Sequence, residues 1–162
     1  MIALLVVSLG ALACAHLYFW GQRFGQDSAA GSQASAIAAE IIERIRVSGV
    51  PSSSTAADSF AGAPASDAAC DPHAVNPRND RNCFFASIAE RLPVGVGAID
   101  ADSPSGYRVT IAWQDRASTA DPGDCDGPYR LWYDGTRPDL FPAGDPPAEP
   151  LCLRRRQWVI VQ

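Results

Sequence analysis

The sequence predicts an α+β fold in which one long N-terminal helix packs on a small antiparallel β-sheet, and three observations predict it. Residues 1–20 form an apolar run without Asp, Glu, Lys or Arg. Residues 33–46 repeat apolar side chains at helical spacing. Beyond residue 94, short runs alternate apolar and polar side chains between stretches rich in Pro and Gly, the pattern of antiparallel strands.

Residues 1–20 read MIALLVVSLGALACAHLYFW, and His16 is their only histidine. A helix of this length spans roughly 30 Å, the thickness of a bilayer's hydrocarbon core. Its apolar residues fall on every side, and Tyr18 and Trp20 stand where an interfacial aromatic belt would lie. The expectation is a transmembrane half of the N-terminal helix over 1–20. Two rival readings use the same residues. A cleaved secretory signal has an A-x-A site in Ala11 and Ala13 but no basic residue before Arg23. A lipoprotein would be acylated at Cys14, yet Ala11 stands where the usual signal has Leu. A core helix of a soluble domain fits poorly with so uniform an apolarity.

Residues 21–50 continue the helix as an amphipathic half, weakened by Gly21 and Gly25. Ala34, Ile37, Ala38, Ile41, Ile42 and Ile45 make the stripe, with Ile37, Ile41 and Ile45 as its main packing residues. Glu40 precedes Arg44 by one helical turn, the favourable order for an ion pair, and Gly49 and Pro51 are stop signals. Residues 51–79 are small and polar and predict a flexible connection. Residues 80–162 hold a short helix and the sheet. The helix is expected to open at Asp80 as N-cap, to turn Phe84, Phe85, Ile88 and Leu92 to one face, and to stop at Pro93. A first strand is read over 94–100. In the second, YRVTIAWQD, Tyr107, Val109, Ile111 and Trp113 share a face. A third covers 129–134, and a last one follows Arg154, Arg155 and Arg156.

The chain's 162 residues carry a net charge of −5, which argues against a nucleic-acid partner. All 13 basic residues are Arg. Besides Cys14 there are four cysteines, Cys70, Cys83, Cys125 and Cys152, enough for two disulfides in any of three connectivities. A zinc site lacks any C-x-x-C pair and its histidines are isolated. The cysteines therefore point to the oxidising side of a membrane. Asp121, Asp124 and Asp126 are the better calcium candidates; in the loop from Asp100 and Asp102, Pro104 takes a ligand position. Both clusters read first as turn formers. His16 lies in the apolar run and His73 in a Pro-flanked loop, and no hydrolase, phosphate-loop or metalloprotease motif is present. No enzyme activity and no cofactor are expected. The three consecutive arginines read as a guarded entry to an edge strand, or as a docking patch for an acidic neighbour.

The order of these parts resembles a type IV pilin. MIALLVVSLGALA is similar to the interior of the pilin N-terminal segment, and AAEIIERIR to an Ala-rich region of the minor pilins called PilV that ends in Arg-x-Arg. ERLPVGVGAID followed by YRVTIAWQD resembles that group's Leu-Pro-x-Gly-x-Gly turn and a strand ending in Trp and an acid. Leu92, Pro93, Gly95, Gly97, Val109, Ile111, Trp113 and Asp115 stand in those places. The family motif Gly-Phe-Thr-Leu-Ile-Glu-Val and its leader do not precede Met1, and the expectation is a start site upstream of it. The resemblance implies a single-pass inner-membrane protein with a periplasmic C-terminal domain. It implies a structural part in starting pilus assembly and a place near the pilus tip. Its implied partners are other minor pilins and the major pilin through the N-terminal helix, and a tip adhesin. A type II secretion pseudopilin and a lipid-anchored periplasmic binding module are the alternatives.

Overall fold

The computed structural model describes residues 2–52, 59–62, 70–102, 106–115, 125, 129–133 and 151–161, without the side chains of 2–9, 23, 24, 26, 27, 132 and 161. The elements are α1 (Ile2–Ser48), α2 (Pro77–Arg91), β1 (Val96–Asp102), β2 (Gly106–Trp113), β3 (Arg130–Tyr133) and β4 (Leu151–Val161). The four strands form one antiparallel sheet in the order β1-β2-β4-β3, so the fold is α+β.

Helix α1 has 47 residues and is therefore about 70 Å long. It stops where Gly49 enters the left-handed region at φ 63, while Ser48 Oγ donates to the Ile45 carbonyl. Among the described residues, it is the C-terminal half that touches the domain. Gly31, Ala34, Ile37, Ala38, Ile41 and Ile45 are buried there, against Phe84, Phe85 and Ile88 of α2 and Tyr107, Val109, Ile111 and Trp113 of β2. Among the described residues no helix is long and apolar enough to cross a membrane, which leaves the expected transmembrane half without structural support. Gly10, His16, Gly21, Gln22, Gly25 and Ser28 dilute the apolarity of the described part, and the first nine side chains lie outside it.

Helix α2 begins one turn earlier than the sequence suggested. Asn76, not Asp80, is the N-cap: its side chain accepts from Asn79 N at 2.8 Å, and Pro77 fills the first helical position, where no donor is needed. Its C-terminal end is tight. A Cβ built on Gly95 would stand 2.7 Å from the Ile88 carbonyl oxygen and 2.9 Å from Leu92 Cβ, and one on Gly97 would lie 2.5 Å from Ile88 Cδ1. Glycine at both places lets α2 lie directly on β1.

In β2 the odd positions face the helices. The other face carries a smaller core of Val96, Ala112, Tyr133 and Leu153. Strand β3 is four residues long, and β4 starts at Leu151, before the three arginines. Within 51–79, the described residues 59–62 lie against the domain, 70–76 lead into α2, and 77–79 belong to α2. Phe60 is fully buried and meets Tyr107 edge to face, and Gly62 N donates to the Ile99 carbonyl. Arg81 Nη1 donates to the Ala61 carbonyl at 2.7 Å. Tyr107 Oη donates to the carbonyls of Val50 and Pro51 at 3.2 and 3.0 Å, so it pins the exit of α1. The disulfides join Cys70 to Cys83 and Cys125 to Cys152, which resolves the three possible connectivities. Each closes a loop, the first of 13 and the second of 27 residues' separation, and each restricts the unfolded chain by about 3 kcal/mol.

Candidate functional site

Before Ala30, α1 leaves the domain. Every described side chain from residue 10 to 29 is exposed. Leu12, Leu17 and Tyr18 are 71–72% accessible, Phe19 54% and Trp20 46%. With about 100° between successive residues these five point to all sides of the axis, so no single groove could cover them. Enclosing a large apolar side chain gains on the order of 2 kcal/mol, and five in nine residues make a contiguous patch of the kind that marks a membrane or protein partner. The patch is suited to dry surroundings in its polar groups too. The helical backbone satisfies its own N–H and C=O groups. Trp20 Nε1 donates to His16 Nε2 at 3.1 Å one turn away, so the indole N–H has its acceptor within the helix. Cys14 is exposed on this same stretch and carries no disulfide.

The other candidates are built into the domain. Ile37, Ile41 and Ile45 lie in the core and not on a free surface. Beside them Arg44 joins the two helices, donating to Asp80 at 2.5 Å and to Glu40 at 2.9 Å. The bond to Asp80 is the main reason the Arg44 guanidinium is held above its ordinary value, with burial acting against it. The crevice at this seam, lined by Ile37, Ile41, Asp80, Cys83, Phe84 and Ser87, encloses about 10 Å³. That is room for about one water and for no organic ligand. On the far side of α2, burial pushes the Arg81 guanidinium below its ordinary value, aided by the charge of Arg78.

The turn and strand residues of the resemblance come together. Leu92 N closes α2 on the Ile88 carbonyl, Gly95 and Gly97 allow the close approach of α2, and Gln114 N donates to the Pro93 carbonyl at 2.8 Å. That bond places Trp113 and Asp115 beside the turn. Trp113 is buried in the main core, while Asp115 is nearly buried between Arg130 at 3.5 Å and Arg154 at 3.7 Å. The three arginines of β4 thus diverge: Arg154 turns to Asp115, and Arg156 Nη1 donates to Ser35 Oγ on α1 at 3.0 Å. Arg155 N donates to the Tyr129 carbonyl. Their register accounts for the sequence run better than a single docking patch does.

Asp102 is engaged by Arg108 at 2.9 Å, and no cluster of possible metal ligands occurs among the described residues. Asp121, Asp124 and Asp126 lie outside them. Sequence reasoning missed Asp80 as the partner of Arg44, because 36 residues separate them, and missed Phe60, which stands in a stretch without periodicity. Set against protein-family models, curated proteins and solved structures, the chain matches none. The geometry of α1 therefore carries the functional reading by itself.

Proposed function

We propose that the chain is a minor-pilin-like structural subunit whose free helical half sits in the inner membrane and then packs among the helices of an assembling filament. The single observation that carries this reading is the continuity of α1. One helix is clamped in a disulfide-linked domain over 30–48 and exposes apolar side chains on all sides over 10–20. A bilayer and a bundle of like helices both enclose such a surface, so a subunit passes from one to the other without wetting it. The Leu-Pro-x-Gly-x-Gly turn against a strand ending in Trp113 and Asp115 supports the PilV-like form. Partners on this reading are the other minor pilins, the major pilin and a tip adhesin, with the domain in the periplasm. A type II secretion pseudopilin would use the same architecture, and its neighbouring genes would tell the two apart.

The test is the N-terminus and location of the protein made in its own cell. Mass spectrometry of the inner-membrane and sheared-pilus fractions is expected to find it in both, with a methylated N-terminal residue. A diacylated Cys14, or a chain found only in the soluble fraction, overturns the reading.

A further inference from the structure

Strand β4 has 11 residues and β3 has four. Their register pairs β3 with Leu151 to Arg154 alone, and Arg155 N then donates to the Tyr129 carbonyl. Among the described residues the pairing ends there. On its other side β4 pairs with β2 along residues 154–161. Because Arg155 N points toward β3, strand alternation turns the N–H and C=O groups of Gln157 and Val159 to that same side, away from β2. Among the described residues nothing meets them there. The stretch 157–161, Gln-Trp-Val-Ile-Val, is β-prone and carries no charge, and Val159 is 59% exposed. Natural edges are usually guarded by charge, Pro or a bulge, and this one has none of these. Nor do the segments outside the description read as strands to complete it. The longest, 134–150, has Pro at 138, 142, 146, 147 and 150, and the others are Ala-, Ser-, Asp- and Gly-rich.

We propose that this edge accepts an extended segment of another polypeptide by strand addition, in line with β3, and that the segment carries a carboxylate beside Arg156. Arg156 is exposed, and its hydrogen bond to Ser35 is to a neutral hydroxyl; no carboxylate among the described residues pairs with it. An incoming acid completes it, and apolar side chains of the segment extend the half-buried surface at Trp158.

A second copy of this chain is the poorer occupant. Helix α1 runs along the strands: Gly31 and Ser35 sit at Trp113 and Arg156, while Val50 and Pro51 sit at Tyr107, the other end of β2. Two β4 edges paired antiparallel are related by a twofold axis normal to the sheet. That axis points the two free helical halves in opposite directions, which a shared membrane does not allow; this exclusion alone rests on the function proposed above.

The experiment follows amide hydrogen exchange by NMR on the full chain in detergent micelles. The probe is an acetylated, amidated heptapeptide alternating Val and Thr with a terminal Glu, and a control has Gln for Glu. In the free chain, Gln157 and Val159 are expected to exchange far faster than Trp158 and Ile160, whose amides face β2. With peptide on the order of 1 mM they slow about tenfold or more, and the Gln control is about tenfold weaker. Val159→Pro, which removes an N–H that β2 does not use, abolishes the effect, and Arg156→Gln makes the two peptides equal. Protection already present in the free chain, protection that depends on the chain's own concentration, or no slowing with peptide overturns the proposal. Flotation of the same protein with lipid vesicles scores the membrane reading separately.

Discussion

From Gly31 to Ile45 every third or fourth side chain of α1 is buried, and from Gly10 to Ala29 every described one is exposed. The backbone is the same unbroken helix in both halves, so helix formation does not distinguish them. What differs is the source of stability. The packed half is held by α2, β2 and the Arg44 bridge. In the exposed half, Trp20 Nε1 donates to His16 Nε2 one helical turn away, a bond within the helix itself. An isolated helix containing Gly10, Gly21 and Gly25 is marginal in water. The difference between the halves is one of cover: among the described residues, the domain encloses the apolar side chains of the second half and leaves those of residues 10–20 exposed.

The largest contrast comes from placing one carboxylate in each half. Ile41→Asp puts a charge in the core, where Ile41 is 2% exposed, and is expected to cost about 4 kcal/mol or to prevent folding. Leu17→Asp, at a site 72% exposed, is expected to change the unfolding free energy of the domain by less than about 0.5 kcal/mol, while sharply reducing recovery in vesicle flotation. Urea unfolding of both variants checks the first difference; equal losses of domain stability would erase the division of α1.

Glycine substitutions sharpen the same division with opposite signs. At Gly95 a Cβ meets the Ile88 backbone carbonyl, which cannot rotate away, and Gly95→Ala is expected to cost about 2 kcal/mol. At Gly21 nothing lies within 4 Å, and Gly21→Ala is expected to favour the helix by about 0.5–1 kcal/mol. Thermal unfolding reads the first change and helical circular dichroism in detergent the second.

These contrasts also mark how far the sequence was legible. Periodicity disclosed the packed stripe at Ile37, Ile41 and Ile45, and the alternation of Tyr107, Val109, Ile111 and Trp113, because each repeats a single physical demand along the chain. It did not disclose Phe60, which reaches the core from a stretch with no repeat, nor the start of α2, where Asn76 and Pro77 outweighed Asp80. The pair Arg44–Asp80 and the cluster of Asp115 with Arg130 and Arg154 depend on tertiary placement and leave no local pattern. The candidate site at residues 10–20 was legible as an apolar run. Its exposure on every side became visible only when the domain showed where α1 stops being covered.

Within the packed half, the helix–helix bridge ranks next. Asp80 is 8% exposed and Arg44 43%, so Asp80→Asn leaves a solvated guanidinium and is expected to cost about 1–2 kcal/mol. Because the folded value of Arg44 is raised, its contribution is full below the ordinary Arg value and lost only as pH rises past it. The difference between Asp80→Asn and the native chain should therefore stay constant in urea titrations from neutral to mildly alkaline pH; a difference that fell away by pH 9 would count against the bridge. Tyr107→Phe, which frees the carbonyls of Val50 and Pro51, is expected to cost about 1 kcal/mol by the same measurement.

The smallest effect concerns the turn that seats α2 on the sheet. Val94 holds φ at 47, a left-handed conformation that a β-branched side chain adopts at a cost of about 1–2 kcal/mol. It is retained where the side chain packs against the second core of Val96, Ala112, Tyr133 and Leu153. Val94→Ala and Val94→Gly remove the same packing, but only glycine also removes the strain. The glycine variant is therefore expected to be the more stable of the two by about 0.5–1 kcal/mol, the reverse of the order at Gly21 in the free helix. Parallel urea titrations of both variants decide it: alanine above glycine would mean that the turn carries no strain, and that side-chain packing alone holds Leu92, Pro93 and Gly95 in place.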